Sequence, residues 1–339
     1  MDYRTLGRTG VKVSPLTFGT MQLHELPDET TAARLLDMAL DSGINSVDTA
    51  NVYGRGASEE LLGKLLRANG RRERLVLASK VHVRMDDEDP NAAGSSRRHI
   101  IGQCHASLRR LGVDHLDVYY LHRPTSLVPI DESLRALDDL VRAGKVRYIG
   151  TSSFAAWQVV ESLWASKELH LERVVAEQTP YSLVDRRVER ELLPMAQSYG
   201  LGITVWSPLG GGLLTGKYRS DNWPVDSRFG SDPGGDWAKR HFTGQSAAVV
   251  DAILALAARK HCTAAQVAIA WTLRHPAVSS VVLGVRSVGQ LEDQLLALDV
   301  RLSDDDLAFL DDVSIPGRAV VPYYLDDDFA DWTPSRFRW

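Results

Sequence analysis

The chain has 339 residues, of which 44% are hydrophobic and 24% are charged. This composition is typical of a globular protein with a substantial core, and it excludes disordered and collagen-like chains. With 39 basic and 44 acidic residues the formal net charge is −5, so no overall positive field attracts a nucleic-acid backbone. The amino terminus lacks the apolar run of a secretory signal, and no segment reaches the roughly 20 apolar residues that span a bilayer. We therefore expect a cytoplasmic protein that binds neither nucleic acid nor a membrane.

The predicted elements begin with a β-hairpin. Residues Tyr3 to Ser14 place a Gly/Thr turn between two short extended pieces, which is the pattern of two antiparallel strands and a tight turn. We expect this hairpin to close the bottom of a barrel before the first barrel strand.

Eight short β-branched runs then alternate with amphipathic helical segments. The predicted strands are 16–18, 45–49, 74–80, 117–122, 146–152, 173–178, 202–207 and 280–284, and clear helices between them include 31–43, 97–112 and 131–144. Strand followed by helix, repeated, is parallel α/β architecture. Because no Pro/Gly-rich linker divides the chain, the pattern favours a closed (β/α)8 TIM barrel over an open doubly wound sheet. We expect residues 1–339 to form a single domain.

Two segments near the carboxyl end depart from the repeat. Residues 210–245 are rich in Gly, Pro and Asp, a composition typical of a long functional loop, and an extra helix follows at 246–260. A second extra helix begins after Ser303, and residues 316–339 form a tail rich in Tyr, Phe and Trp. We expect the aromatic tail to dock on the barrel and form one wall of the substrate pocket.

Four polar residues lie at or just after the carboxyl ends of predicted barrel strands, where the active sites of such barrels are built. They are Asp48, Tyr53, Lys80 and His122. Each taken alone is compatible with a structural role: a turn cap, a loop aromatic, a surface amine and a hydrogen-bonded core histidine. Taken together, the four residues at one end of the predicted barrel indicate a catalytic site.

A lysine that closes the apolar run 75–79 points into the barrel mouth, where an unpaired ammonium is costly. Asp48 on the adjacent strand can supply the missing carboxylate. The cation of Lys80 is then expected to lower the pKa of Tyr53, while His122 orients the oxygen or shares its proton. This arrangement predicts Tyr53 as the general acid and base.

A proton donor without a nucleophile or a metal suits carbonyl reduction, in which a cofactor delivers hydride. The histidines form no HxH or HExxH pattern, and the acidic runs lack EF-hand spacing, so we expect no metal. The glycine-rich run 210–216 has the wrong spacing for the dinucleotide fingerprint. A Rossmann cofactor site is therefore disfavoured.

A series of motifs in order covers nearly the whole length: RTLGRTGVKVSPLTFGTM (4–21), DTANVYG (48–54), SLRRLGVDHLDVYYLH (107–122), GKVRYIGTSSF (144–154), EQTPYSLVDR (177–186), WSPLGGGLLTGKY (206–218) and SSVVLGVRSVGQLEDQL (279–295). In these motifs the chain resembles the aldo-keto reductases. The resemblance implies a TIM barrel that binds NADPH in extended form without a Rossmann domain. It also implies a catalytic tetrad, which falls on Asp48, Tyr53, Lys80 and His122.

By the same resemblance, Ser152 and Gln178 hold the carboxamide of NADPH and Trp206 stacks on its nicotinamide ring. The other residues that the resemblance assigns to the cofactor are Thr20, Met21, Asp48, Ser207, Pro208, Leu209, Gly210, Gly211, Lys217, Arg228, Gly284, Arg286, Gln290, Asp293 and Gln294. A guanidinium at Arg286 can grip a ribose 2′-phosphate, which favours NADP over NAD. Three departures from the family pattern, at Ser153, Asp293 and Gln294, predict altered cofactor affinity.

The leading hypothesis is reversible NADPH-dependent reduction of an aldehyde or ketone. The chain also resembles potassium-channel β subunits, so a cofactor-sensing or partner-binding protein is the alternative; those subunits carry a different residue at the position of His122, which favours the reductase. A barrel hydrolase using Asp48 and His122 is a third possibility, and it lacks a nucleophile or metal.

The substrate and the oligomeric state stay open. The expected pocket rim is Met21, His24, Arg55, His82, Arg123 and the aromatic tail.

Overall fold

The computed structural model describes residues 1–218, 223–224, 227 and 241–321. The strands are β1 (Arg4–Thr5), β2 (Lys12–Val13), β3 (Leu16–Gly19), β4 (Ser46–Asp48), β5 (Val76–Val81), β6 (Leu116–Leu121), β7 (Val146–Ser152), β8 (Val174–Pro180), β9 (Gly202–Trp206) and β10 (Val278–Leu283). The helices are α1 (Glu29–Asp41), α2 (Ala57–Asn69), α3 (Arg97–Leu111), α4 (Ile130–Arg142), α5 (Ala156–Glu168), α6 (Leu192–Tyr199), α7 (Gly244–Lys260), α8 (Ala264–Leu273), α9 (Val288–Leu295) and α10 (Asp304–Asp311).

Strands β3 to β10 close into a parallel barrel in sequence order, with β10 pairing back to β3. The predicted TIM barrel is confirmed, and each observed barrel strand begins and ends within two residues of its predicted bounds. Helices cover the outside, so the strands are buried on both faces; all seven residues of β8 are buried. The strand ends therefore meet at one mouth, where side chains from distant parts of the sequence come together.

The helix boundaries follow from capping residues in the sequence. In α1 the side chain of Asp28 accepts a hydrogen bond from the backbone N–H of Thr31, and in α3 Ser96 does the same for His99. Gly112 directly follows α3 and caps it, and its φ of 66° is the left-handed conformation that glycine adopts without strain.

The predicted hairpin is confirmed as β1 and β2, which pair antiparallel at the bottom of the barrel. The guanidinium of Arg4 donates to the carbonyl oxygen of Val278 at 2.7 Å. The turn residue Gly7 has a φ of +57°, and a Cβ there would lie 2.6 Å from the backbone nitrogen of Gly202. Only glycine allows this approach. The hairpin therefore packs directly against Gly202 at the start of β9 and closes the barrel at the end opposite the mouth.

Helices α7 and α10 are the two predicted extra helices, and they pack against each other. Lys260 and Asp306 form an ion pair of 2.5 Å, and the guanidinium of Arg259 lies 4.5 Å from the ring centroid of Phe309. The predicted aromatic tail lies outside the described residues from 322 onward, as does most of the 210–245 loop, including Arg228.

In the described part of the chain, no helix combines the length and the apolar character needed to cross a membrane.

Candidate active site

Lys80 occupies the centre of the barrel mouth and is fully buried. Its Nζ donates hydrogen bonds to Asp48 Oδ2 at 2.5 Å, to the carbonyl oxygen of Thr49 at 2.9 Å and to Tyr53 Oη at 3.2 Å. The side chain belongs to the penultimate residue of β5, since Val81 ends that strand, one residue later than the sequence predicted. The predicted pairing of Lys80 with Asp48 is present, because Asp48 ends the neighbouring strand β4.

Tyr53 reaches the ammonium from a turn rather than from a strand. It begins a 3₁₀ turn, Tyr53–Gly56, in which Gly54 and Arg55 have φ values of 58° and 50°. These left-handed residues turn the chain sharply into α2. His122, the residue directly after β6, packs edge-on against the phenol ring with centroids 5.9 Å apart. The structure thus brings all four predicted catalytic residues together.

The electrostatics of the phenol differ from the sequence prediction in one respect. The cation of Lys80 does act to lower the pKa of Tyr53, as expected, and Arg123 acts in the same direction. Burial outweighs both, so the pKa of Tyr53 lies above its ordinary value of 10.0. The pKa of Lys80 is also raised, because its nearby Asp48 carboxylate and Tyr53 more than offset the burial that acts to lower it. At neutral pH the site therefore holds an ammonium and a protonated phenol.

His122 is neutral in this setting. Burial, followed by the charges of Lys80 and Arg123, holds its pKa well below the ordinary value of 6.5. Its Nδ1 is buried and has no hydrogen-bond partner among the described residues. A neutral imidazole can accept or donate one hydrogen bond but is a poor proton source at neutral pH, so the acid of the site is the phenol.

Asp48 is held in place by residues assigned to the cofactor. Gln178 Nε2 donates to Asp48 Oδ1 at 2.8 Å. The backbone N–H and the hydroxyl of Thr20 both donate to the carbonyl oxygen of Asp48 at 3.0 Å. Ser152 lies beside Gln178 in register at the ends of β7 and β8. The predicted carboxamide-binding residues therefore lie in the same mouth as the tetrad.

Trp206 ends β9 and is half-buried at the mouth. The guanidinium of Arg123 lies 5.7 Å from the indole centroid, and its Nη1 donates to Ser153 Oγ at 2.6 Å. Sequence reasoning placed Arg123 only on the pocket rim. Its position directly after His122 was the available signal that it belongs to the site itself.

The segment after β9 has an unusual backbone. Ser207, Gly210, Gly211 and Gly212 have φ values of 53°, 57°, 68° and 101°. Within this turn Pro208 is buried and Leu209 half-buried. Lys217 is exposed, and its Cε lies 3.4 Å from where a Cβ on Gly212 would be. Left-handed glycines beside an ammonium form the kind of cradle that accepts phosphate groups.

The predicted adenosine segment surrounds the start of α9. Gly284, Arg286 and Gln290 are exposed there, and Gln290 Oε1 accepts a hydrogen bond from the backbone N–H of Arg286 at 2.8 Å. Asp293 instead accepts from Gln266 Nε2 at 2.7 Å, which ties it to the start of α8, and its neighbour Gln294 is buried. Arg228 lies outside the described residues.

A buried carboxyl beside the site was missed from the sequence. Glu177 is fully buried, and its Oε1 accepts from the backbone N–H of Phe154 at 3.1 Å. Burial raises the pKa of this carboxyl to about 8. An acid directly after the apolar run 174–176 of a predicted strand was the signal, since strands buried on both faces rarely carry one without a purpose.

The other predicted rim residues surround the opening. Met21 is 39% exposed, and the exposed Arg55 pairs with Asp87 at 2.7 Å. His82 Nδ1 and Ser95 Oγ are 3.0 Å apart. The imidazole of His24 packs where a Cβ on Gly54 would lie, with its Cδ2 only 2.6 Å from that point.

Within the described ranges, no three His, Cys, Asp or Glu side chains are grouped closely enough to hold a metal ion.

Comparison with known proteins identifies the family. The Aldo/keto reductase family model matches residues 15–315. The chain belongs to the aldo/keto reductase family. It is 39% identical over 329 residues to "Uncharacterized oxidoreductase YrpG" of Bacillus subtilis (strain 168), covering 94% of this chain and 97% of that protein. It is also 38% identical over 303 residues to "Probable voltage-gated potassium channel subunit beta" of Oryza sativa subsp. japonica, covering 88% of this chain and 92% of that protein.

The resemblance seen in the sequence motifs is thereby confirmed at the level of family and fold. The protein is an aldo/keto reductase family oxidoreductase. Members of this family typically use NAD(P)H and act on small carbonyl compounds.

Proposed function

We propose that this protein reduces a small aldehyde or ketone to an alcohol with NADPH, reversibly, and that Tyr53 supplies the proton. The observation that carries the proposal is the position of Lys80, whose ammonium binds the Asp48 carboxylate at 2.5 Å and the Tyr53 hydroxyl at 3.2 Å. A phenol that can lose its proton beside a fixed cation is suited to act as acid in one direction and base in the other. We also propose that residues 1–339 act as one domain.

The residues around the mouth fit NADPH. Ser152 and Gln178 offer polar atoms at the ends of β7 and β8, and Trp206 offers an aromatic surface beside them. The turn formed by Ser207, Pro208, Leu209, Gly210 and Gly211, in which Ser207 and the two glycines are left-handed, suits the pyrophosphate together with Lys217. Thr20 and Met21 border the same opening. Bound NADPH would supply the hydride.

Arg286 makes NADPH a better fit than NADH. Its side chain is exposed near the start of α9, and no carboxylate within the described ranges forms an ion pair with it. A guanidinium there can bind a 2′-phosphate through two parallel hydrogen bonds. Gly284 leaves open space beside it, since a Cβ at that position would meet nothing within 4 Å.

Each of the protein's own catalytic residues then has a separate role in the reaction. His122, kept neutral, directs its imidazole toward the carbonyl oxygen and fixes its orientation. Tyr53 donates its hydroxyl proton to that oxygen as the C–O bond acquires negative charge. The ammonium of Lys80 stabilises the phenolate that remains, and Asp48 keeps the ammonium in place. In alcohol oxidation, the same phenolate accepts the proton.

The test is the absorbance of NADPH at 340 nm with a panel of aryl aldehydes, sugar aldehydes and ketones. Consumption of NADPH that depends on both the carbonyl compound and the protein supports the proposal. Formation of one alcohol molecule for each NADPH consumed would establish the product. Tight NADPH binding without turnover of any carbonyl would contradict it.

That second outcome would favour the alternative, a cofactor-sensing or partner-binding protein. Relatives named as potassium-channel β subunits in Oryza sativa and Arabidopsis thaliana, both 38% identical, are the observation behind it. The complete Asp48, Tyr53, Lys80 and His122 arrangement supports the reductase.

A further inference from the structure

A cavity of about 390 Å³ lies outside the barrel, between helices α4 and α5. Leu121 and Phe154 form part of its apolar lining, and the segment 124–130 forms one wall. None of the four candidate catalytic residues lines it. Its volume falls within the roughly 300–1,000 Å³ that small-molecule sites occupy.

The mouth of this cavity carries an exposed apolar surface. Trp164 lines it and is 64% exposed, and Leu127, between the lining residues Thr125 and Val128, is 57% exposed. Within the described ranges these are the two most exposed large apolar side chains. A single exposed leucine is ordinary, but the two together at one cavity mark an interaction site.

The charged residues of the cavity are all acidic. Asp131, Glu161 and Glu168 line it, and no Lys, Arg or His does. Glu161, Trp164 and Glu168 follow each other at intervals of three and four residues along α5, so they share one face of that helix. Neither of these glutamates forms an ion pair with a described residue. Glu161 is exposed overall, but partial burial of its carboxyl with no offsetting cation raises its pKa, so a ligand cation would favour the charged form.

We propose that this cavity binds an organic ammonium ion that carries an aromatic or alkyl body. The indole face of Trp164 attracts a cation through its quadrupole, and the carboxylates of Glu161 and Glu168 attract it by charge. The apolar lining formed by Leu121, Phe154 and their neighbours receives the body of the ligand. An anion would meet the like charges of Glu161 and Glu168, whereas Asp131 is paired with Arg135 at 3.9 Å. A neutral ligand would use only the apolar part.

The proposal is independent of the reductase activity. The cavity lies on the outer side of the barrel wall, whereas the residues assigned to NADPH lie at its mouth. No residue assigned to NADPH lines the cavity, so we expect a ligand there to bind with or without NADPH present.

The probe is benzyltrimethylammonium, titrated into the full-length protein labelled with ¹⁵N at tryptophan. The indole N–H resonance of Trp164, assigned by its loss in Trp164→Phe, is expected to shift in a saturable manner. A titration that leaves this resonance unmoved overturns the proposal. Equal binding of choline and its uncharged analogue 3,3-dimethylbutan-1-ol overturns the preference for a cation.

Two variants distinguish this site from general surface binding. Glu161→Gln keeps the size of the side chain and removes its charge, so it should weaken binding of benzyltrimethylammonium by about tenfold. Glu60→Gln, an exposed carboxylate on α2, should leave binding unchanged. Both positions are at the surface, so both variants are expected to fold, and equal affinity in the two would contradict the assignment.

Discussion

Gln178 and Asp48 are joined by a hydrogen bond across the full width of the barrel mouth. Their strands, β8 and β4, lie on opposite sides of the eight-stranded barrel, and Gln178 Nε2 donates to Asp48 Oδ1 at 2.8 Å. The other oxygen of the same carboxylate accepts from Lys80. Asp48 thus connects Lys80, which binds the proposed proton donor Tyr53, with Gln178, which is proposed to hold the cofactor.

Tyr53→Phe should reduce turnover of a carbonyl substrate by at least about a hundredfold, because it removes a positioned general acid while keeping the ring that packs on His122. NADPH affinity, measured by fluorescence titration, should stay within a few-fold. Tyr148→Phe is the matched control, since Tyr148 lies on β7 outside the proposed site. Wild-type turnover in Tyr53→Phe would remove the phenol from the mechanism.

Lys80→Met should suppress turnover and shift the pH profile. Lys80 lowers the pKa of Tyr53 against the effect of burial, so its removal raises that pKa further. Reduction needs the protonated phenol, and its alkaline limit should therefore move to higher pH. Alcohol oxidation needs the phenolate, and its onset should also move to higher pH.

Because Asp48 keeps its hydrogen bond from Gln178, we expect Lys80→Met to fold with reduced stability. Circular dichroism before each pH series checks this. Residual activity with a wild-type pH profile would show that Lys80 does not control the phenol.

Arg286→Ala should raise the KM for NADPH far more than the KM for NADH, because only NADPH carries the 2′-phosphate. Steady-state kinetics with each cofactor at saturating carbonyl substrate gives the comparison. Arg301→Ala removes an exposed arginine after α9 and should change neither constant. An equal rise for both cofactors would place the 2′-phosphate contact elsewhere.

Glu177→Gln should change how stability depends on pH. Burial raises the pKa of this carboxyl from 4.5 to about 8 in the folded protein, so the folded state holds its proton more tightly than the unfolded state. The wild-type free energy of unfolding should therefore fall between pH about 4.5 and about 8 through this group, and level off above.

Glutamine can still accept the hydrogen bond from the N–H of Phe154 but cannot ionise. The stability of Glu177→Gln relative to wild type should thus increase with pH across that range, as measured by urea unfolding. Glu73→Gln, at an exposed position, should give a constant difference. A constant difference for Glu177→Gln as well would mean that its pKa is ordinary.

The barrel and the grouping of Asp48, Tyr53, Lys80 and His122 at its mouth could be predicted because both depend on local pattern. Alternating β-branched runs and capped helices indicate parallel strands, and the ends of neighbouring strands meet by geometry, which brings Lys80 to Asp48. The bond between Gln178 and Asp48 could not be predicted this way, since the residues are 130 positions apart and meet only when the barrel closes.

The direction in which the pKa of Tyr53 is shifted also could not be predicted from the sequence. A neighbouring cation can be inferred from strand order, but the opposing effect of burial depends on every side chain packed around the phenol. The same holds for Arg123, whose contacts with Ser153 and Trp206 join three different strand ends.

The hairpin at the base of the barrel constrains the order in which the molecule is completed. Arg4 binds the carbonyl oxygen of Val278, Arg8 binds that of Gly200, and Ser279 binds that of Thr5. The hairpin therefore finds these partners only after β9 and β10, which follow it in the chain, have been synthesised. Until then the hairpin has no barrel end to close, so it reaches its final place later than strands that are synthesised after it.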